Sequence, residues 1–313
     1  YLLYVAQEIE EFPCRISHGP TTLDLLPTEE NLSFLMKNLD YKIKNKFLYC
    51  PLLAKIKKQN IRINEIIGKN KFGDRVFFGD NWPNRAQRWI ACNDHPTDKA
   101  LVDFTVHAPS KYQVIANGKQ IKETEEKGMT SNYYTFKVPL QRKVMVIGIA
   151  EMEIKNYKSE IPVSAWVYPQ DKEDGFTDFS LAPGILLFYQ NLFGAYEYEQ
   201  MANVQSTTEF GGMENAGCIF YNETSITGTK SCENLIAHEM VHQWFGNSAS
   251  EGSWHHSWLS EGFATYFTNL YVQKSLGEDS FQERLSKEKE EILKKEDIVL
   301  NDYIVSCPEL DSS

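Results

Sequence analysis

A chain of 313 residues with 42% hydrophobic side chains can bury a sizeable core and has room for two domains. Its net charge of −11 argues against a nucleic-acid surface, which needs clustered Lys and Arg, and no run of about eighteen apolar residues offers a transmembrane helix. Cys14, Cys50, Cys92, Cys218, Cys232 and Cys307 form no C-x-x-C pair, which argues against a disulfide framework or a thiolate metal site and leaves reduced, buried thiols as the expectation.

The chain opens at Tyr1 without a basic segment ahead of an apolar one, so no signal peptide is read there and the compartment stays open, cytoplasmic or exported. Residues 1–67 mix Lys-rich stretches (42–46, 55–58) with apolar patches and show no clean alternation; they are assigned to the β domain that follows. From 68 to 170 the pattern is strand-like. Segment 101–107 alternates, with Val102, Phe104 and Val106 on one side; 112–116 follows, and Asn117-Gly118 is a hairpin-turn signal leading into 119–127, a charged and solvated arm. Further strands are expected at 132–138, 143–154 and 162–168, together an antiparallel β domain.

The character changes near residue 170, where a domain boundary is expected. Residues 170–174 are polar and acidic. Segment 176–196 then carries Leu181, Ile185, Leu186, Phe188, Tyr189, Leu192 and Phe193 at helical spacing, with Pro183 near its start. Strands at 201–207 and 217–221 lead to a helix over 231–245, with Leu235, Ile236, Val241, Trp244 and Phe245 to pack and Gly246 as a stop. A second helix is expected over 257–275, closed by Gly277. A third, over 278–296, buries Phe281, Leu285 and Ile292 and is otherwise exposed.

The first of these helices carries His238-Glu239-Met240-Val241-His242, and eighteen residues separate His242 from Glu261. Side chains four apart share a helix face, so both imidazoles can reach one metal, here one Zn²⁺ ion. A catalytic zinc takes three protein ligands and keeps one position open. If the second helix folds back antiparallel, Glu261 near its start supplies the third. Glu239, about 100° around the helix from His238, then faces the open side as a general base, with zinc lowering the pKa of a water toward neutrality. The alternative is two core histidines on an ordinary helix, which the helical context and the stop signal make the weaker reading. His255 and His256 fall in the loop before the second helix, and His18, His95 and His107 have no partner at ligand spacing.

Upstream lies Gly211-Gly212-Met213-Glu214-Asn215. Two glycines allow a backbone to approach a bound peptide paired as an added edge strand, with Glu214 as a fixed carboxylate for a free α-amino group and Met213 as packing. Taken alone, the segment is equally compatible with a turn bearing a solvated Glu.

Together the two motifs resemble the gluzincin zinc aminopeptidase family, of aminopeptidase N and leukotriene hydrolase type, over about residues 72–300. The Gly-Gly form of the upstream motif looks more like the leukotriene hydrolase branch and its bacterial relatives. The resemblance implies an α+β fold, a saddle-like antiparallel β domain followed over 171–313 by a thermolysin-like zinc-metallopeptidase domain. It also implies Zn²⁺ on His238, His242 and Glu261, Glu239 as base, and a substrate site at Glu214 with Gly211, Gly212, Met213 and Asn215. The implied partners are peptides with a free N-terminus. Against the family pattern the catalytic domain is incomplete at Ser313 and the C-terminal helical domain is missing. The oxyanion-stabilising tyrosine is expected roughly sixty or more residues past the third ligand, so Tyr303 reads as structural. Asp94-His95-Pro96 resembles the family's Asp-x-Pro segment. Trp82 stands where relatives carry a pocket-lining Gln or Glu, implying an aromatic wall with Asp80 and Asn81 as polar substitutes. Ser260 replaces an Asn and is expected to cap its helix. The expected activity is removal of N-terminal residues from peptides; the alternatives are a truncated member that binds zinc and peptides with poor turnover, and an epoxide hydrolase of the leukotriene-hydrolase type.

Overall fold

The computed structural model describes residues 42–44, 47–49, 67–86, 92 and 94–299. The expectations for Cys14, His18, Cys50, Tyr303 and Cys307, and for most of 1–67, lie outside these residues. Strands β1 (Lys42–Lys44) and β2 (Phe47–Tyr49) form a hairpin. Then come β3 (Ile67–Lys69), β4 (Arg75–Phe78), β5 (Ala100–Pro109), β6 (Gln113–Ala116), β7 (Lys119–Glu126), β8 (Met129–Leu140) and β9 (Ile147–Ala150). They make two antiparallel sheets, β5-β8-β7 and β3-β4-β9-β6. Alternation in β8 explains its place at the centre of the first: Asn132, Tyr134 and Phe136 point inward between half-buried neighbours, and the Tyr134 hydroxyl donates to the Val114 carbonyl at 2.6 Å.

The Asn117-Gly118 signal marks a turn, but not a hairpin. β6 pairs with β9 and β7 pairs with β8, so the turn carries the chain from one sheet to the other. Asn117 is fully buried there: its side chain donates to the Val144 and Ala216 carbonyls at 2.8 and 2.9 Å and accepts from the Val146 N–H at 2.6 Å. Those three bonds satisfy backbone groups that no ladder reaches, which is why an Asn suits a crossing as well as a hairpin. The hairpin itself closes at Lys127-Gly128, both at positive φ, between Glu126 and Met129. The strand expected over 143–154 is likewise split: a 3₁₀ turn at Arg142–Val144 precedes β9, and the chain then changes sheet.

That third sheet contains β10 (Glu153–Tyr157), β11 (Val163–Val167), β12 (Met201–Ser206), β13 (Gly212–Met213) and β14 (Cys218–Asn222), in the order β10-β11-β12-β14-β13. β12 is parallel to both β11 and β14, and every residue of β12 is buried, as a strand covered on both faces requires. The parallel step from β11 to β12 needs a crossover. It is made by α1 (Lys172–Asp178) and α2 (Ala182–Phe193), a bent pair where one helix was expected, joined by a 3₁₀ turn at Phe179–Leu181 with Pro183 in the first turn of α2. Glu173 and Asp174, expected in a polar linker, lie in the first turn of α1, where acidic groups suit the helix dipole. Because β11 hydrogen-bonds to β12, the expected boundary near 170 passes through one continuous sheet.

Three more helices follow: α3 (Glu233–Val241), α4 (Ser257–Leu276) and α5 (Glu278–Val299). α4 ends at Gly277 as expected. On α5, Phe281 is buried and Leu285 half-buried, but Ile292, expected to be buried, is 65% exposed. The class is α+β, with a mixed sheet beside antiparallel ones.

Candidate metal centre

α3 ends at Val241, four residues before the expected end at Phe245, yet His242 keeps helical dihedrals (φ −55°, ψ −23°). The spacing of four therefore still works, and the two Nε2 atoms lie 3.2 Å apart. α4 brings Glu261 against them, with Oε2 3.5 Å from His238 Nε2 and 3.6 Å from His242 Nε2. Ligands at about 2.0–2.1 Å around a tetrahedral ion lie roughly 3.3–3.4 Å apart, so the three separations match a zinc ligand triangle. Among the described residues no other group of three His, Cys, Asp or Glu side chains converges in this way.

Hydrogen bonds orient the His242 ring. Ser260 Oγ donates to the Phe245 carbonyl at 3.2 Å and lies 3.0 Å from His242 Nδ1, which also faces that carbonyl at 3.1 Å. Both neighbours accept, so this network assigns the proton to Nδ1 and leaves the Nε2 lone pair toward the triangle. Ser260 is thus no helix cap. It is buried inside α4, and the cap expectation failed because α4 begins three residues earlier, at Ser257. Gly246 makes room for this contact: it has φ +127°, and a side chain there would collide with Ser260 Oγ and reach within 3.1 Å of His242 Nδ1.

The electrostatics favour a cation. Burial alone opposes a charge on His242, yet Glu261, Glu214 and Glu239 together draw its pKa upward. Burial likewise favours a neutral Glu261, but the two imidazoles beside it, His238 and His242, outweigh it and hold the carboxyl far below the usual range. Glu239 differs. Burial, reinforced by Glu214 and Glu261 and opposed by His242, pushes it up to about 8. A carboxyl poised near neutrality in a closed site is suited to carry a proton either way.

The upstream motif lies against this helix. β13 is an edge strand in which Gly212 pairs with Tyr221 and Met213 with Phe220. The Gly211 carbonyl accepts from the Asn222 N–H at 2.9 Å, so strand alternation turns the N–H and C=O of Gly212 to the open edge. Gly212 also has a steric role: an added Cβ would lie 2.5 Å from Cγ and Cδ of Glu239. Gly211 has none of comparable force, its nearest neighbour being Leu235 Cδ1 at 3.6 Å. We expect Gly212→Ala to lower turnover by at least about tenfold by displacing Glu239, with zinc content unchanged and Gly211→Ala much milder; parallel kinetics and metal analysis check this. Met213 is buried packing, and Asn215 is fully buried with no hydrogen bond to its side chain.

Glu214 is 5% exposed, and its carbonyl is held by Gln243 Nε2 at 3.0 Å and Asn247 Nδ2 at 2.6 Å, both from just beyond α3. Its Oε1 lies 3.6 Å from Lys143 Nζ, which donates to Glu251 Oε1 at 2.6 Å. The Trp82 ring lies 4.8 Å from Lys143 Nζ and meets Trp254 edge-on at 5.7 Å. Asp80 pairs with Arg85 at 3.0 Å, and buried Asn81 donates to the Arg142 and Met145 carbonyls. Gln243, Asn247, Lys143 and Glu251 escaped the sequence reading. For the first two a signal existed, amide side chains one and five residues past His242. Lys143 offered only a basic pair with Arg142 ahead of an apolar run, and Glu251 none.

Comparison with known proteins places these residues in a wider group. The peptidase family M1 domain matches residues 178–307, a span holding His238, Glu239, His242, Glu261 and Glu214. The chain is 26% identical over 208 residues to a glutamyl aminopeptidase of Rattus norvegicus, covering 62% of this chain and 22% of that protein. It is 28% identical over 200 residues to a leucyl aminopeptidase of Saccharolobus solfataricus, covering 60% and 26%. A probable aminopeptidase 2 of Sulfurisphaera tokodaii is 27% identical over 208 residues, covering 63% and 26%. The matched region thus spans about a quarter of the length of these relatives.

Proposed function

We propose that this chain, whose residues 178–307 match the peptidase family M1 domain, is a zinc-dependent aminopeptidase acting on peptides with a free N-terminus. The proposal includes a saddle-like β domain ahead of a thermolysin-like catalytic domain. The observation that carries it is the joint presence of the His238–His242–Glu261 triangle and a buried Glu214 on the segment whose Gly212 packs against Glu239.

Zinc on the triangle would supply an acidified water and polarise the scissile carbonyl. The chain's own residues do the rest. Glu239, next to His238 on α3 and packed against Gly212, takes a proton from the attacking water and passes it to the leaving amine. The open edge of β13 pairs with the substrate backbone through Gly212. Glu214 binds the α-ammonium, and its backbone, fixed by Gln243 and Asn247, sets the distance from that amine to the bond cut. An internal bond cannot present an ammonium to Glu214, so cleavage is confined to the first residue.

The test compares matched peptides, free and N-acetylated, with the zinc-loaded protein, reading products from each end. Release of the first residue from the free peptide alone supports the assignment. Equal cleavage of both peptides sinks it.

A further inference from the structure

Lys143 is a buried cation with no part in the chemistry above. It lies in the 3₁₀ turn before β9 with its side chain 1% exposed. Its Nζ meets two carboxylates unequally, at 2.6 Å from Glu251 Oε1 and 3.6 Å from Glu214 Oε1. The first is a short charge-assisted hydrogen bond; the second is beyond hydrogen-bond reach. Glu214 Oε1 and Glu251 Oε2 are both buried and accept no hydrogen bond. Lys99, the next cation, is engaged elsewhere, donating to the Asn247 and Ser248 carbonyls at 3.1 and 2.9 Å.

Two carboxylates and one ammonium leave one negative charge over in a place largely closed to solvent, and a buried unmatched charge is unfavourable. The unequal distances decide where it resides. Glu251 holds the ammonium, so the spare charge falls on Glu214. We propose that Lys143 and Glu251 are a positioning pair that leaves Glu214 without a hydrogen-bonded cation, so that the substrate's α-ammonium is the cation that completes it. This rests on the reading of Glu214 as amine anchor. Neutralising Glu251 would free the Lys143 ammonium to close on Glu214, and an incoming amine would then have to displace an internal ion pair. Removing Lys143 as well would return Glu214 to a lone carboxylate.

The experiment measures binding of trialanine and N-acetyl-trialanine by calorimetry to the zinc-loaded full chain carrying Glu239→Gln, which leaves the peptides intact. The readout is the ratio of free to acetylated affinity. Adding Glu251→Gln is expected to lower this ratio about tenfold or more. Adding Lys143→Met to that variant is expected to restore it to within about twofold. Glu251→Asp, which keeps the charge but draws it back from Lys143, gives a second reading in the same direction should the Gln variant not fold. A ratio unmoved by the Glu251 variants, or lowered and not restored by Lys143→Met, overturns the pair. Glu214→Gln separates the two levels: an unchanged ratio there refutes the amine anchor itself, whereas collapse there with no effect at Glu251 refutes only the pair.

Discussion

Replacing Glu239 with Gln is expected to cut turnover by about 10²–10⁴-fold while zinc content stays at the wild-type level. The side chain is not part of the ligand triangle, so the metal has no reason to leave. Gln also has the same shape, and shape matters here because Glu239 packs against Gly212 with no room to spare. What changes is the capacity to take and return a proton. The carboxyl is held toward its protonated form by burial first, then by Glu214 and Glu261. A divalent cation on the triangle works in the opposite direction, so its pKa in the loaded protein is set by two opposed fields. An amide responds to neither. Single-turnover kinetics on a free peptide beside metal analysis of the same sample checks this; retained turnover would remove Glu239 from the chemistry.

Glu214→Gln should have the second largest effect, on selection rather than on the chemical step. Removing one partner of a buried charge pair costs roughly 2–5 kcal/mol, or about 30-fold to several thousandfold in affinity. That loss should appear in KM for free peptides, with a smaller change in kcat and little change in binding of N-acetylated peptides. The backbone of Glu214 is fixed by Gln243 and Asn247 independently of its carboxylate, so the strand should stay in place. A variant that loses kcat and leaves KM alone would move Glu214 from amine binding to some other task.

The parts of this site that could be read from sequence are those with a local period. His238, Glu239 and His242 needed only helical spacing, and α3 supplied it even though it ended earlier than expected. Glu261 needed one further assumption, that α4 folds back on α3, which the Gly246 stop and the intervening loop made reasonable. Lys143 and Glu251 could not be found in this way. They are 108 residues apart, join a turn to a loop, and owe their pairing to sheets whose order no alternation reveals. Ser260 was placed on the right helix but given the wrong task, because a cap is a local role and orienting His242 is a tertiary one. The same limit acted on the fold. Alternation found β5, β8 and β11 as strands, but it could not tell that β11 would join β12 in parallel, nor that Asn117-Gly118 would change sheets instead of folding a hairpin.

All of these proposed roles depend on one metal held by three named side chains, and that proposal can be tested without turnover. Zinc per chain, determined after dialysis by plasma mass spectrometry, should be about one equivalent in the wild type and in Glu239→Gln. It should fall to background in His238→Ala and in Glu261→Ala, each folded by circular dichroism. One full equivalent retained in both ligand variants would contradict the triangle of His238, His242 and Glu261, and with it the zinc aminopeptidase assignment.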